Sequence, residues 1–245
     1  MGFRFPRVVG HRGASADAPE NTLAAFRLAA EQGAGAIELD AKLSADGVPV
    51  VIHDDTLDRT TNGHGDVRAH AFAVLDRIDA GSWFDRRFAG EKLPTLEATL
   101  KLCQALGLEL NIEIKPCPGR AVETAEKVVA DVRRFWPTNR PAPLLSCFDP
   151  DGLAAARAAD SALPRGFLVD DLDEAAIKTA QRLDCVALHV RHVALDRTGV
   201  AAIKEASLVP VAWTVNQPAR AVELVAWGVA SIISDRPDAI RKALG

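Results

Sequence analysis

Val8-Val9-Gly10-His11-Arg12-Gly13, followed by Ala18-Pro19-Glu20-Asn21-Thr22, decides how the rest of the chain is read. A short apolar run of β type stops at a histidine and an arginine set between two glycines. The chain then loops into a helix, for which Asn21 reads as the N-cap ahead of Leu23, Phe26 and Ala30 on one face. Strand, polar mouth, loop and helix make one βα unit. A His-Arg pair at the end of a buried strand does little for stability, so the unit also raises the question of what the pair serves. The glycines either let backbone approach a bound group closely or simply form the turn.

The unit recurs. Strand-like runs lie near residues 7–10, 36–40, 109–114, 143–147, 165–169, 185–189, 209–213 and 231–234, each short and each followed by a helix-period segment. Gln217 precedes Pro218, a favourable first helical residue, and Gly228 supplies the stop. Asp235 lies just before Pro237 at the last helix. Eight such alternations read as an α/β chain closed into a (β/α)8 (TIM) barrel. An open doubly wound sheet is the alternative.

Val48-Pro49-Val50-Val51-Ile52-His53 falls outside that count. It follows the second strand too soon for a crossover helix, and Asp46-Gly47 between them is a hairpin turn signal. It therefore reads as an antiparallel return strand that brings His53 back to the barrel mouth, roughly opposite Glu38. Residues 54–94 have no clear period and read as a small cap inserted between strand 2 and its helix at about 95–106. The expected organisation is one domain over 1–245 with insertion 54–94.

Composition narrows the functional classes. The chain has 245 residues, 48% apolar and 25% charged, with a formal net charge of -4. That charge gives no basic footprint for nucleic acid, so an anionic ligand must be met by local positive charge. The four cysteines show no C-x-x-C spacing and read as reduced thiols. Residues 1–7 contain no apolar signal region, Pro6 stands where a myristoylation motif needs Ser or Thr, and no apolar run approaches membrane-spanning length. The expected location is the cytoplasm, with no stable membrane association.

Chemistry concentrates at strand ends. Strand 2 reads Ile37-Glu38-Leu39-Asp40 and strand 3 reads Asn111-Ile112-Glu113-Ile114-Lys115. Alternation puts Glu38 and Asp40 on one face, and Asn111, Glu113 and Lys115 on another, both looking into the barrel mouth. For any single acid, pairing with a nearby base is the simpler reading. Three at adjacent strand ends, beside two histidines, favour one divalent cation, and an all-oxygen set favours Mg²⁺ or Ca²⁺ over zinc. His11 and His53 suit a general acid and base pair. Arg12 and Lys115 form a local cationic site for phosphate. Phe148 and Trp213 add apolar wall or ordinary rim packing. His189, at the end of strand 6, either lines the mouth or is a satisfied core histidine. His64 and His70 read as surface.

The ordered set His11-Arg12-Gly13, Pro19-Glu20-Asn21-Thr22, Glu38-Leu39-Asp40, His53-Asp54, Leu57-Asp58-Arg59-Thr60-Thr61-Asn62-Gly63, Glu113-Ile114-Lys115, Trp213-Thr214-Val215 and Ser234-Asp235-Arg236-Pro237 resembles the glycerophosphodiester phosphodiesterase family, in particular its short cytoplasmic bacterial members. The resemblance implies metal-dependent hydrolysis of glycerophosphodiesters, such as glycerophosphocholine, to glycerol 3-phosphate and an alcohol. By position it implies Glu38, Asp40 and Glu113 as metal ligands, His11 and His53 as the acid/base pair, and Arg12 and Lys115 as phosphate contacts. Trp213 matches the aromatic that packs beside glycerol. Two rivals stand beside it: a lipid-acting, lysophospholipase D-like enzyme on the same barrel, and a non-catalytic barrel that binds phosphate esters. The first lacks a membrane-docking segment here, and the second needs no pair of histidines.

Overall fold

A computed structural model describes residues 3–245. Nine strands form the sheet: β1 (Val8–His11), β2 (Ala36–Leu43), β3 (Pro49–Val51), β4 (Glu109–Ile114), β5 (Leu144–Cys147), β6 (Arg165–Val169), β7 (Ala187–Arg191), β8 (Val209–Trp213) and β9 (Ser231–Ser234). The order β1-β9-β8-β7-β6-β5-β4-β2 closes through a β1–β2 pairing, and these eight strands are mutually parallel. This is the closed barrel read from the alternation, and the open sheet is excluded. The helices are α1 (Leu23–Glu31), α2 (Phe72–Leu75), α3 (Leu96–Leu106), α4 (Ala121–Phe135), α5 (Pro150–Ala159), α6 (Glu174–Arg182), α7 (Arg197–Glu205), α8 (Pro218–Trp227) and α9 (Pro237–Leu244). Among the described residues no helix is long and apolar enough to cross a membrane.

Side-chain alternation divides the core in two. Leu39, Ile112 and Ile114 point outward and join the large cluster between strands and helices. Val9, Ala36, Ala187, Val211 and Ile233 point inward and fill the barrel. Because one face of each parallel strand is packed by helices, the inward face alone is left to carry a site.

β3 is the expected return strand, antiparallel to β2 with Val51 set against Ala41. The strand ends at Val51, yet Ile52 N–H still donates to the Asp40 carbonyl at 3.0 Å. That register sets Ile52 against Asp40 and brings His53 to the barrel mouth, on one cavity with Glu38. The segment between β3 and α3 holds α2, two short 3-10 turns and isolated bridges such as Thr56 with Asp66. Its own small core of Val50, Ile52, Leu57, Val67, Leu75 and Leu93 explains why no period was visible: packing, not regular structure, orders it.

Two local readings are corrected. The N-cap of α1 is Thr22, whose hydroxyl accepts from Ala25 N–H at 3.2 Å, and Asn21 sits one residue earlier in left-handed conformation at φ 58°. His189 lies in the middle of β7 rather than at its end. The glycines around His11-Arg12 serve the turn. Gly13 has φ +87°, and a Cβ on it would lie 2.6 Å from the Ala25 backbone, where Ala14 N–H donates to the Ala25 carbonyl at 3.0 Å. A Gly13→Ala variant is expected to lose about 1–3 kcal/mol of unfolding free energy from backbone strain, and more from the collision with α1. Gly90→Ala, at the same φ of +87° with nothing within 4 Å, is the control for strain alone. Urea midpoints of the two variants check this, and equal midpoints would show that the α1 contact is unimportant.

Candidate active site and cation centre

β2 and β4 are paired with Glu38 against Asn111 and Asp40 against Glu113, so the register alone gathers the acids at one end of the barrel. Glu38, Asp40 and Glu113 are 4%, 1% and 7% exposed. Each offers an oxygen within 4.8 Å of the others. Such crowding costs desolvation and mutual repulsion together. Burial first, then Asp40 and Glu113, raises Glu38 well above the usual carboxylate range. Burial first, then Asp40, pushes Glu113 up to about 7. Burial also pushes on Asp40, but Arg12, His53 and Lys115 outweigh it and hold that carboxyl low.

The pairing expected for an isolated acid is present too. Lys115 Nζ donates to Glu113 at 2.7 Å and stands 3.8 Å from Asp40. Arg12 Nη1 donates to Glu20 at 2.7 Å, its Nε lies 3.2 Å from Asp40, and its backbone N–H donates to Glu38 at 3.1 Å. That last bond requires the left-handed backbone of Arg12, at φ 55°. Two cations against three buried carboxylates leave the cluster short of positive charge. Asp40 Oδ1 accepts no hydrogen bond among the described residues. Oxygen ligands at about 2.0–2.6 Å from a hard cation lie up to about 4–5 Å from one another, which the 4.8 Å spread meets. The donor set therefore fits a divalent cation.

Both histidines are tethered alike. His11 Nδ1 lies 2.6 Å from Asp235 and His53 Nδ1 lies 2.7 Å from Asp54. Asp235 also accepts from Ser15 and Asn216; burial opposes its ionisation, but His11 and these donors hold it down at about 2. Hydrogen bonds from Arg59 hold Asp54 low. Ionised carboxylates only accept, so each Nδ1 donates and each Nε2 is left free. Burial, partly offset by Asp40, lowers His53 below its ordinary value. His11, Arg12, His53, Lys115, Glu38, Glu113, Phe148 and Trp213 all line one cavity. Asp40 lies behind them, and Phe148 and Trp213 meet edge to face at 5.5 Å.

Several residues beside the predicted set also hold the site. Asn21, misread as a cap, donates through Nδ2 to Asp40 at 2.8 Å and accepts from the Asp40 N–H at 3.3 Å. Arg59 makes paired bonds to Glu20 at 2.8 Å and to Asp54 at 2.6 and 2.9 Å. It thereby ties the loop carrying Arg12 to the segment carrying His53. Lys42, buried on β2, donates to Asp55 at 2.7 Å and fixes the same segment. The dipeptides His53-Asp54 and Ser234-Asp235 were visible signals, but nothing local shows that Asp235 reaches a histidine 224 residues away. His189 lines the cavity, is fully buried and is not satisfied; neither ring nitrogen has a hydrogen-bond partner among the described residues. His64 and His70 lie in the inserted segment, away from the cavity.

The raised carboxyl pKa values give a signed pH dependence. A carboxyl whose folded pKa exceeds its unfolded value contributes stability that is full below the unfolded value near 4.5 and is lost as pH rises through about 7. The cation-free protein is expected to lose thermal stability between about pH 5 and pH 8, and added Ca²⁺ or Mg²⁺ to restore it with release of protons. Calorimetric scans in chelator and in cation check this; a cation-free melting temperature that is flat over that window would contradict it.

The comparisons with known proteins converge on one group. Residues 11–239 match the model of the glycerophosphoryl diester phosphodiesterase family. A glycerophosphodiester phosphodiesterase of Caldanaerobacter subterraneus is 34% identical over 95% of both chains. An Oleispira antarctica phosphodiesterase, solved in complex with the product sn-glycerol-3-phosphate, is 38% identical, covers 98% of this chain and 96% of its own, and superposes with a TM-score of 0.95. A glycerophosphodiester phosphodiesterase structure from Agrobacterium tumefaciens is 32% identical over 98% of this chain and all of its own, with a TM-score of 0.83. With a barrel, a buried acidic triad and two tethered histidines all carried within the matched span, the chain belongs to the glycerophosphoryl diester phosphodiesterase family.

Proposed function

We propose that this protein hydrolyses glycerophosphodiesters, such as glycerophosphocholine or glycerophosphoethanolamine, to sn-glycerol 3-phosphate and an alcohol. The observation that carries the proposal is the placing of two carboxylate-tethered histidines on one cavity with a buried all-carboxylate triad. Family membership and the product named in the Oleispira structure support it.

Glu38, Asp40 and Glu113 hold one divalent cation, Mg²⁺ or Ca²⁺. When bound, it neutralises the triad and supplies Lewis-acid stabilisation of the phosphoryl oxygens. Arg12 and Lys115 orient the phosphodiester: Glu20 takes one of the five N–H donors of Arg12, and Lys115 carries a point charge beside Phe148. One histidine takes a proton at Nε2 from the attacking oxygen as the new P–O bond forms. The other gives a proton to the leaving alkoxide as the old P–O bond breaks. The attacking oxygen is that of water or of the substrate's own glycerol hydroxyl, the latter through a cyclic phosphate. Asp54 and Asp235 hold the rings in the required tautomer, and Phe148 and Trp213 form the wall beside the glycerol unit. The barrel and its inserted segment act as one catalytic domain, with a small molecule rather than nucleic acid or a membrane as partner. Four buried cysteines without disulfides accord with a reducing cytoplasm.

His11→Ala and His53→Ala are each expected to lower kcat by about 10²–10⁴ on glycerophosphocholine. Chelation should abolish release of glycerol 3-phosphate and Mg²⁺ or Ca²⁺ should restore it. Near-full turnover by either variant sinks the paired-histidine scheme, and activity that survives exhaustive chelation sinks the cation assignment. Faster turnover of long-chain lysophosphatidylcholine than of glycerophosphocholine would move the reading to a lipid substrate.

Arg59, 46% exposed in its side chain, is a positioning residue. Arg59→Ala is expected to leave the fold intact and to cost about tenfold in kcat. With its clamp gone, Asp54 returns towards its ordinary pKa, so the acidic limb of the pH–rate profile should move upward, with partial rescue by Arg59→Lys. An unmoved limb would leave Arg59 a surface ion pair only.

A further inference from the structure

A diester phosphorus carries two alkoxy arms, and the scheme above gives a wall to one of them. A second cavity, of about 320 Å³, meets the first at His11 and Arg12 and offers room to the other. It contains no aromatic side chain. Ser15 and Glu20 line it from the loop after β1, and Asn216, Asp235 and Arg236 from the segments that follow β8 and β9.

Charge in this cavity is nearly all committed. Glu20 Oε1 accepts from Arg12 at 2.7 Å and from Arg59 at 2.8 Å, and its Oε2 accepts from Arg59 at 2.8 Å. Asp235 Oδ1 accepts from His11 at 2.6 Å and from Ser15 at 2.9 Å, and its Oδ2 accepts from Asn216 at 2.6 Å. Arg236 differs. Its backbone N–H donates to Ser234 Oγ at 3.0 Å, but its exposed side chain makes no hydrogen bond or ion pair among the described residues. Asp238, two residues on, is taken by Lys242 at 3.2 Å. The cavity thus presents one uncommitted charge, a guanidinium with its fork of donors free.

That charge selects the headgroup. A quaternary ammonium needs free ring faces or free carboxylates. Here both acids are saturated by donors, and in the neighbouring cavity Lys115 Nζ already stands over the Phe148 ring at 5.3 Å. A phosphate monoester brings a charge of about -1.5 to -2 against this single cation. A carboxylate brings one charge and matches the guanidinium fork through two parallel hydrogen bonds.

We propose that Arg236 is a specificity-determining residue that binds a carboxylate on the departing alcohol. The chain then prefers glycerophosphodiesters with a carboxylate-bearing headgroup, such as glycerophosphoserine, over those whose headgroup is only cationic. The proposal rests on the hydrolytic function given above and names the substrate class of that same site.

sn-Glycero-3-phosphoserine and sn-glycero-3-phosphoethanolamine differ only by the carboxylate, so the test compares kcat/KM for the two with cation-loaded protein. Wild-type protein is expected to favour the serine compound about threefold to tenfold, as suits an exposed but bidentate pair. Arg236→Gln should bring that ratio to about one through loss on the serine compound. A wild-type ratio of one, or a preference for the ethanolamine compound, would overturn the subsite. Equal losses by Arg236→Gln on both substrates would also overturn it, because they mark attraction for the shared phosphodiester and not for the headgroup. Should neither diester be cleaved, the hydrolase reading fails by itself, and calorimetric titration with the two intact diesters decides the subsite. Tighter binding of the serine compound, lost in Arg236→Gln, would uphold it, and equal affinities would overturn it.

Discussion

Three carboxylates held within 4.8 Å of one another inside a barrel are the constraint on which the rest of the site depends. Parallel pairing of β2 with β4 forces them together whether or not their charge is met. Buried like charges repel and lose hydration, so the surroundings are built to counter both losses. Arg12 adopts a left-handed backbone to donate N–H to Glu38 while its guanidinium faces Asp40. Lys115 turns onto Glu113, and Asn21 gives up capping geometry to hold Asp40 from behind. These contacts reduce the deficit without removing it, which is why Glu38 and Glu113 stay raised and why the arrangement suits a divalent cation.

Around that centre runs a continuous chain of hydrogen bonds between charged or polar side chains, Arg12 to Glu20 to Arg59 to Asp54 to His53. Its members come from the loop after β1 and from the segment after β3. The inserted segment is therefore more than a cover. Its small apolar core gives Arg59 and Lys42 something rigid to act against, and the return strand sets Ile52 against Asp40 and so brings His53 to the cavity. On the opposite side, Asp235 at the end of β9 does for His11 what Asp54 does for His53. Both rings are thus oriented through Nδ1 by carboxylates from different elements.

The rim and the interior of the cavity contrast in how their polar atoms are paired. Near the mouth almost every charged group is engaged by another. Around His189 the polar atoms are neutral, buried and mostly unpaired.

By itself the sequence determined whatever depends on short spacing. Alternation of strands and helices set the barrel, the Asp46-Gly47 turn set the return strand, and period-two alternation placed Glu38, Asp40, Glu113 and Lys115 on inward faces. All of these follow from backbone periodicity, which is local. Tertiary structure alone decided which distant groups meet. Asn21 next to Thr22 looks as good a cap as its neighbour until Asp40 claims its side chain. Asp235 reads as a helix-start residue until closure of β9 onto β1 brings it to His11. His189 fits a satisfied core histidine until the strands around it are seen to leave both nitrogens bare. Pairing energies of this kind depend on distance in space, and only closure of the barrel sets that distance.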